Sequence, residues 1–524
     1  MVHVETPSGR WGPFCSRVLA FLQADLIDLA VDGRTVRGFR SPDSPALWLR
    51  DHSDVLRAGC WVEADVQSAV DAFADHQSVA GRLFDYVTTE PGAERENWEK
   101  WVRVPVEADV EYRFVKAAWL AWQATGDDAW VERLMPRLER ALGYTLGHEW
   151  RWDEGHGLPK RAYTIDTWDF DYTAGRAPWL NFQITPDTFW GLAHGDASGL
   201  YEAMRLLARL HAHAGRDADA ARWRSRAASL RDRANRVLFN GRFYTHFVKL
   251  SDVTVEGVDE AEQLSLSNPA AINRGLATSE IAAAVLAEYQ CRRAATGAFA
   301  EWFSIDPPFP DGAFGDEKLV GGAYVNGGIM PLVGGELARA AFEHGEERYG
   351  VATLDQYREM VAESGETYLW YFPDGTHATP ETSTSPEAQP TDGWGSSAML
   401  WALVEGLAGV QDRAHSFRRV RLAPRWAAAG ESEAEVRVGY AASGAAFGYD
   451  YAHDAGARVL RLRVEAEAEV DLHLLLPPGT RPTEVRWDGG AVPFERSCAK
   501  ASTYADARGR AEGESTVEVH YVEA

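Results

Sequence analysis

The distribution of hydrophobic periods constrains this chain more than any other feature. From about residue 12 to 412, apolar residues recur at helical spacing. Trp223, Ala227, Leu230, Ala234 and Val237 follow one another at intervals of 4, 3, 4 and 3, which is one helix face. Leu200, Ala203, Leu207 and Leu210 repeat the pattern in 199–212. The same reading predicts helices over 14–31, 53–76, 108–125, 128–147, 199–213, 216–238, 276–297, 333–345, 352–364 and 396–410. The pairs 108–125 with 128–147 and 199–213 with 216–238 are joined by short GD or GRD turns, so they read as antiparallel hairpins. Other links are long and rich in Trp, Gly, Pro and Asp: 32–52, 83–106, 148–195, 240–275, 298–331 and 365–395. Loops of that length in a compact domain usually carry function. Alternating short and long links suggest hairpins set around an axis, with the long loops gathered at one end.

From residue 416 the period changes to 2. EVRVGYAASGAAFGYDYAHD, ARVLRLRVEAEAEVDLHLLLP and TVEVHYVE alternate apolar and polar residues between Gly/Pro turns. The expected fold is mainly α, with helical hairpins in 1–415 and a C-terminal antiparallel β-sandwich in 416–524. The second domain is sparse in chemistry, which favours a packing role.

Charge narrows the partners. The formal net charge is −25, from 53 basic and 78 acidic residues. Nucleic acid and anionic membranes call for a basic face, so neither is expected, and a small neutral ligand fits better. The start MVHVETPSGRWGPF shows no signal peptide and no apolar run approaches a membrane span, so a cytoplasmic location is expected by default. Cys15, Cys60, Cys291 and Cys498 form no CxxC pair and read as buried small hydrophobes in a reducing compartment. There is no Gx-S-x-G elbow and no HExxH, and the 15 His show no metal-ligand spacing. No cofactor and no metal is expected.

Chemistry concentrates in 166–190, DTWDFDYTAGRAPWLNFQITPDTFW. Asp166, Asp169 and Asp171 alternate with Trp168, Phe170 and Tyr172, and Trp179 follows. A carboxylic acid needs a drier setting to hold its proton near neutral pH, and ring faces stack on the apolar faces of pyranoses. In LWLRDH (47–52), Trp48 precedes Arg50 and Asp51 at a loop-to-helix join. The Arg–Asp pair can grip vicinal hydroxyls, or be an N-cap and an ion-pair partner. In VEADVEYRF (106–114), Glu107, Asp109 and Glu111 complement a helix start, with a sugar-binding role open. GGAYVNGGIMPLVGGELA (321–338) has no phosphate-cradle spacing; its glycines permit close approach to a ligand or a helix. Tyr324 and Asn326 are candidate ligand contacts there, and Glu336 reads as structural. The loop 377–394 carries Glu381 and Glu387 ahead of Trp394, and one of them could face the first carboxylate across a cleft.

These segments together resemble the six-hairpin, (α/α)6-toroid glycosidases, a group that includes glucoamylases, glycogen-debranching glucosidases, exo-α-mannosidases and α-rhamnosidases. WLRD (48–51) looks like their sugar-holding WxRD segment, DTWDFD (166–171) like their acid segment, YVNGG (324–328) like their NGG loop, and 392–409 like their base segment. The resemblance covers about residues 40–412. It implies an inverting exo-glycosidase that removes a terminal sugar of glucose, mannose or rhamnose type. Asp169 matches the general acid, with Asp171 its alternative in a different register. Glu381 matches the general base, with Glu387 in reserve. The sugar-binding set it implies is Trp48, Arg50, Asp51, Asp166, Trp168, Trp179, Tyr324, Asn326 and Trp394. No N-terminal β-domain of the kind many bacterial relatives carry is expected within this sequence. Rival expectations are a glycoside phosphorylase, in which phosphate replaces the activated water, an epimerase or lyase on a similar toroid, and a non-catalytic carbohydrate-binding protein.

Overall fold

The computed structural model describes residues 1–40, 46–90, 95–168, 184–383 and 390–524. The first part of the chain is helical: α1 (Trp11–Ala24), α2 (Leu49–Gly59), α3 (Ser68–Asp75), α4 (Val110–Thr125), α5 (Asp128–Gly147), α6 (His194–His213), α7 (Asp217–Leu238), α8 (Ser267–Asn273), α9 (Ser279–Thr296), α10 (Pro331–Glu343), α11 (Glu347–Ser364) and α12 (Gly393–Trp401). Short links close the hairpins α4–α5, α6–α7 and α10–α11. Each contains a glycine in the left-handed region: Gly126 at φ 69, Gly215 at φ 70 and Gly345 at φ 77. The Asp127 side chain caps α5 by accepting from Trp130 N at 2.9 Å.

The even-numbered helices pack in sequence. Helix α2 lies on α4, α4 on α6, α6 on α8, α8 on α10 and α10 on α12, and α12 returns to α2. All eleven residues of α2 are buried. The close approach of α10 to α12 depends on glycine, because a Cβ on Gly335 would lie 2.5 Å from the Ala398 backbone. Of the two reasons considered for the glycine-rich segment, helix packing accounts for this one.

Several expected boundaries shift for identifiable reasons. The helix expected over 14–31 ends at Ala24, and Leu26–Val31 instead pairs with Arg34–Phe39 as a hairpin. Its turn is Asp32–Gly33, both at positive φ, the strongest short hairpin signal. The stretch 53–76 is two helices, and Ala402–Leu407 after α12 is a π-helical turn.

Among the described residues the C-terminal strands form one ten-stranded hydrogen-bonded sheet rather than two separate sheets. The long strands Val459–Leu475 and Ser502–Glu523 pair along their length and carry different neighbours at their two ends. Pairing is antiparallel except between Arg419–Leu422 and Val459–Leu475. Two segments before residue 416 join this sheet: Val2–Glu5 on Glu433–Gly439, and Val410–Asp412 on Arg419–Leu422. Period-2 patterns this short are invisible beside a helix. Cys15 and Cys60 are buried as expected, but Cys291 and Cys498 are exposed, and all four are free. Among the described residues no helix is long and apolar enough to cross a membrane.

Candidate active site

The N-terminal halves of α2, α4, α8, α10 and α12 supply much of the wall of a small cavity. Arg50 and Asp54 of α2, Arg113 of α4, Ser267 of α8, Glu336 of α10 and Trp394 of α12 reach it. Helix N-termini carry partial positive charge, which favours the carboxylates collected here. The cavity measures about 20 Å³, room for roughly one water and far less than a sugar ring. A groove of about 650 Å³ on the C-terminal sheet is larger, but none of the predicted site residues lines it.

Charges in this wall are paired. Arg50 donates from Nε and Nη2 to Asp109 Oδ2 and Oδ1 at 2.7 and 2.9 Å, a bidentate buried pair. The ion-pair reading of Arg50 therefore holds, and Asp51 is buried one residue further along the first turn of α2 rather than at its N-cap. Asp54 accepts from Arg113 and, at 3.0 Å, from Trp394 Nε1, with Lys116 Nζ 3.4 Å away. Burial alone would raise its pKa, but Arg113, Lys116, Arg57 and Arg274 outweigh that and hold it well below the usual range. Glu336 accepts from Arg57 at 2.5 Å and Asn273 at 2.6 Å. The same contest of burial against cations leaves it below its ordinary value.

The loop before the acid segment is anchored on both sides of Trp168. Asp166 takes a left-handed φ of 49 and accepts four hydrogen bonds: from Thr167 N at 2.7 Å, Ser265 Oγ at 2.5 Å, Ser267 Oγ at 2.5 Å and Ser267 N at 3.1 Å. Its own N–H donates to His246 Nε2 at 2.8 Å. Burial raises the Asp166 pKa, while His194, Ser265 and Ser267 draw it down to about 2. Beyond Trp168, Arg161 Nη2 donates to its carbonyl at 3.0 Å. The Trp168 indole stacks on Trp394 at 5.0 Å and donates to Tyr324 Oη at 2.8 Å. Asp166 thus anchors the loop through its carboxylate, whereas Trp168 and Trp394 form part of the cavity wall.

Tyr324 sits at φ 47 in the YVNGG turn, where Gly328 packs so close that a Cβ would meet Tyr324 O at 2.4 Å. Asn326 is not in the wall. Its amide accepts from Phe309 N at 2.7 Å and donates to Phe309 O and Leu319 O, both at 3.1 Å, which ties together distant parts of the 298–331 connection. Trp48 stacks near Tyr86 and the Arg103 guanidinium, away from the cavity lining. Glu107 and Glu111 are buried behind the site, accepting from Arg103 N and Leu83 N. Glu381 is exposed, and hydrogen bonding from Thr379 holds its carboxyl somewhat below the ordinary range. Asp169, Asp171, Trp179 and Glu387 lie outside the described residues.

Sequence reasoning missed Asp54, Arg113 and Arg274 and set Glu336 aside as structural. The available signal was charge inside otherwise apolar helices: a lone Glu in GGELARAAF, and Arg113 with Lys116 in VEYRFVKAAWLAW. A charged side chain there needs a partner on a neighbouring helix.

No protein-family model and no curated protein matches the sequence. Solved structures do match. The GH78 family rhamnosidase of Bacillus sp. GL1 superposes with a TM-score of 0.59 at 18% identity, over 90% of this chain and 42% of that one. The α-L-rhamnosidase from Dictyoglumus thermophilum gives 0.59 at 11% identity, over 99% and 51%. The GH63 mannosylglycerate hydrolase from Thermus thermophilus gives 0.53 at 16% identity, over 74% and 99%. This chain spans about half the length, or less, of the rhamnosidases. The likeness is one of fold, and at that level the resemblance drawn from the motifs is borne out.

Proposed function

We propose that this chain is an exo-acting, inverting glycoside hydrolase built on an (α/α)6 toroid, taking a terminal sugar of glucose, mannose or rhamnose type from an α-linked glycoside. One observation carries the reading: in a fold shared with rhamnosidases and a mannosylglycerate hydrolase, the cavity at the helix N-termini is walled by Trp168, the residue directly before Asp169. The closed circuit of even-numbered helices supports the toroid. In this proposal Asp169 protonates the glycosidic oxygen and Glu381 deprotonates the attacking water. Asp171 and Glu387 remain their alternatives. Inversion requires the two carboxyls roughly 6.5–9.5 Å apart, leaving room for that water. The ionised Asp54 and Glu336 would steady positive charge developing on the sugar ring, and Trp168 with Trp394 would present an aromatic face. Substrate entry requires the side chains around the small cavity to part.

The test is a hydrolysis screen on aryl and natural α-glycosides, with the product anomer followed by NMR. An inverted anomer is expected. Asp169→Asn should lower kcat by at least about a thousandfold, since it removes the proton donor while sugar binding persists. Glu381→Gln and Glu387→Gln, tested in parallel, identify the base. Full activity of Asp169→Asn together with Asp171→Asn would end the assignment. A requirement for inorganic phosphate would convert it to a phosphorylase.

A further inference from the structure

Three residues far apart in sequence meet where the helical hairpins touch the C-terminal sheet. Asp128 opens α5, His213 closes α6, and His415 lies in the turn between strands Val410–Asp412 and Arg419–Leu422. One ligand atom from each lies within 4.8 Å of the others. His213 Nε2 is 2.9 Å from Asp128 Oδ1, and the two imidazoles meet edge to face at 5.4 Å. This cluster is separate from the cavity described above and does not depend on the glycosidase reading.

We propose that Asp128, His213 and His415 form a binding site for a divalent transition metal of the zinc class, with water completing the coordination. Two imidazoles and one carboxylate are a ligand set such ions favour, and an open position is compatible with it. Tetrahedral bonds of about 2.1 Å place ligand atoms about 3.4 Å apart, so the observed spacings need only small side-chain rotations.

The surroundings support the cluster. Trp122 Nε1 donates to Asp128 Oδ1 at 2.9 Å, the outer hydrogen bond that orients a ligating carboxylate. The Trp122 ring packs against both imidazoles at 4.9 Å. The His415 turn is pinned by Ser416 N donating to Gln123 O and Phe417 N donating to Asp412 Oδ2, both at 2.9 Å. Gly126 leaves the space the ring needs, because a Cβ there would sit 2.9 Å from His415 Nδ1. Arg418 in the same turn opposes a cation, and Asp128 offsets it. A bound ion would clip α5 and α6 to the C-terminal sheet and stabilise the chain by mass action.

The test uses the full chain without a histidine tag, stripped by chelator. Zn²⁺ is titrated calorimetrically and Co²⁺ by visible absorption. One ion per chain is expected, with Co²⁺ showing the intense bands of low coordination and Zn²⁺ raising the melting temperature. His213→Gln and His415→Gln should each abolish these signals, and Asp128→Asn should weaken binding at least tenfold. His213 is partly exposed, so its variant stays informative should His415→Gln fail to fold. Absence of saturable binding, or binding that survives both histidine substitutions, overturns the proposal.

Discussion

Asp166→Asn separates the charge of the loop anchor from its shape. Asparagine tolerates the left-handed φ of 49 at this position and matches aspartate in size, so the backbone keeps its path. The variant loses the ionised carboxylate that collects four donors and faces His194 Nε2 at 3.7 Å. Its folded pKa of about 2 lies below the ordinary 3.8. That gap corresponds to roughly 2–3 kcal/mol of native-state stability for a fully buried group. Because the folded pKa is depressed, the contribution is complete above about pH 4, falls to roughly half near pH 3, and is lost as pH drops through 2. Urea denaturation of both proteins, followed by tryptophan fluorescence, should show a deficit of roughly 2–3 kcal/mol at pH 7 that narrows to roughly half at pH 3. Taking the difference between the proteins removes the other carboxylates that titrate in the same range. Asp166→Ala should cost about 1 kcal/mol more, because alanine disfavours positive φ. A deficit under about 0.5 kcal/mol at pH 7, or one that does not change with pH, would refute the electrostatic account of this anchor.

Two further substitutions probe the wall. Gly328→Ala sets a methyl 2.4 Å from Tyr324 O, and the overpacked turn should cost roughly 1–3 kcal/mol in thermal unfolding while disturbing Tyr324 and through it Trp168. Trp394→Phe keeps an aromatic face against Trp168 but removes the N–H donated to Asp54 at 3.0 Å. A loss of about 1.5–3 kcal/mol in stability is expected, with KM rising more than kcat falls once a substrate is found.

The helical and strand regions were legible because their evidence is periodic, and burial of one face enforces the period. The hairpin turns were legible for the same reason glycine is needed there. What escaped were features defined by distant partners. Helix α2 looks like a polar, charged segment, yet every residue in it is buried, since Arg50, Asp54 and Arg57 each find an opposite charge on another helix. Spacing along one helix cannot reveal that Asp109 or Glu336 supplies the counter-charge. Asn326 shows how an amide in a glycine-rich turn can look poised for a ligand while bonding within its own loop, to Phe309 and Leu319. Asp128, His213 and His415 escaped for the same reason, being separated by 85 and 202 positions.

The electrostatics of the cavity also divide labour within the proposed mechanism. A general base must accept a proton near neutral pH, so its pKa cannot lie far below its ordinary value. Asp54, ringed by Arg113, Lys116, Arg57 and Arg274, is held too low for that work, and Glu336 is pulled the same way by Arg57. Both stay ionised and suit fixed charges that face a cationic transition state. A general acid has the opposite need, since a nearby cation would strip its proton. Rigid helix N-termini with paired guanidinium groups are therefore unsuited to carry the proton-transfer groups, and loops rich in aromatic residues suit them better. The proposal therefore assigns proton transfer to loop carboxylates, Asp169 or Asp171 after Trp168 and Glu381 or Glu387 in 377–394, and leaves Asp54 and Glu336 as fixed charges on the helices.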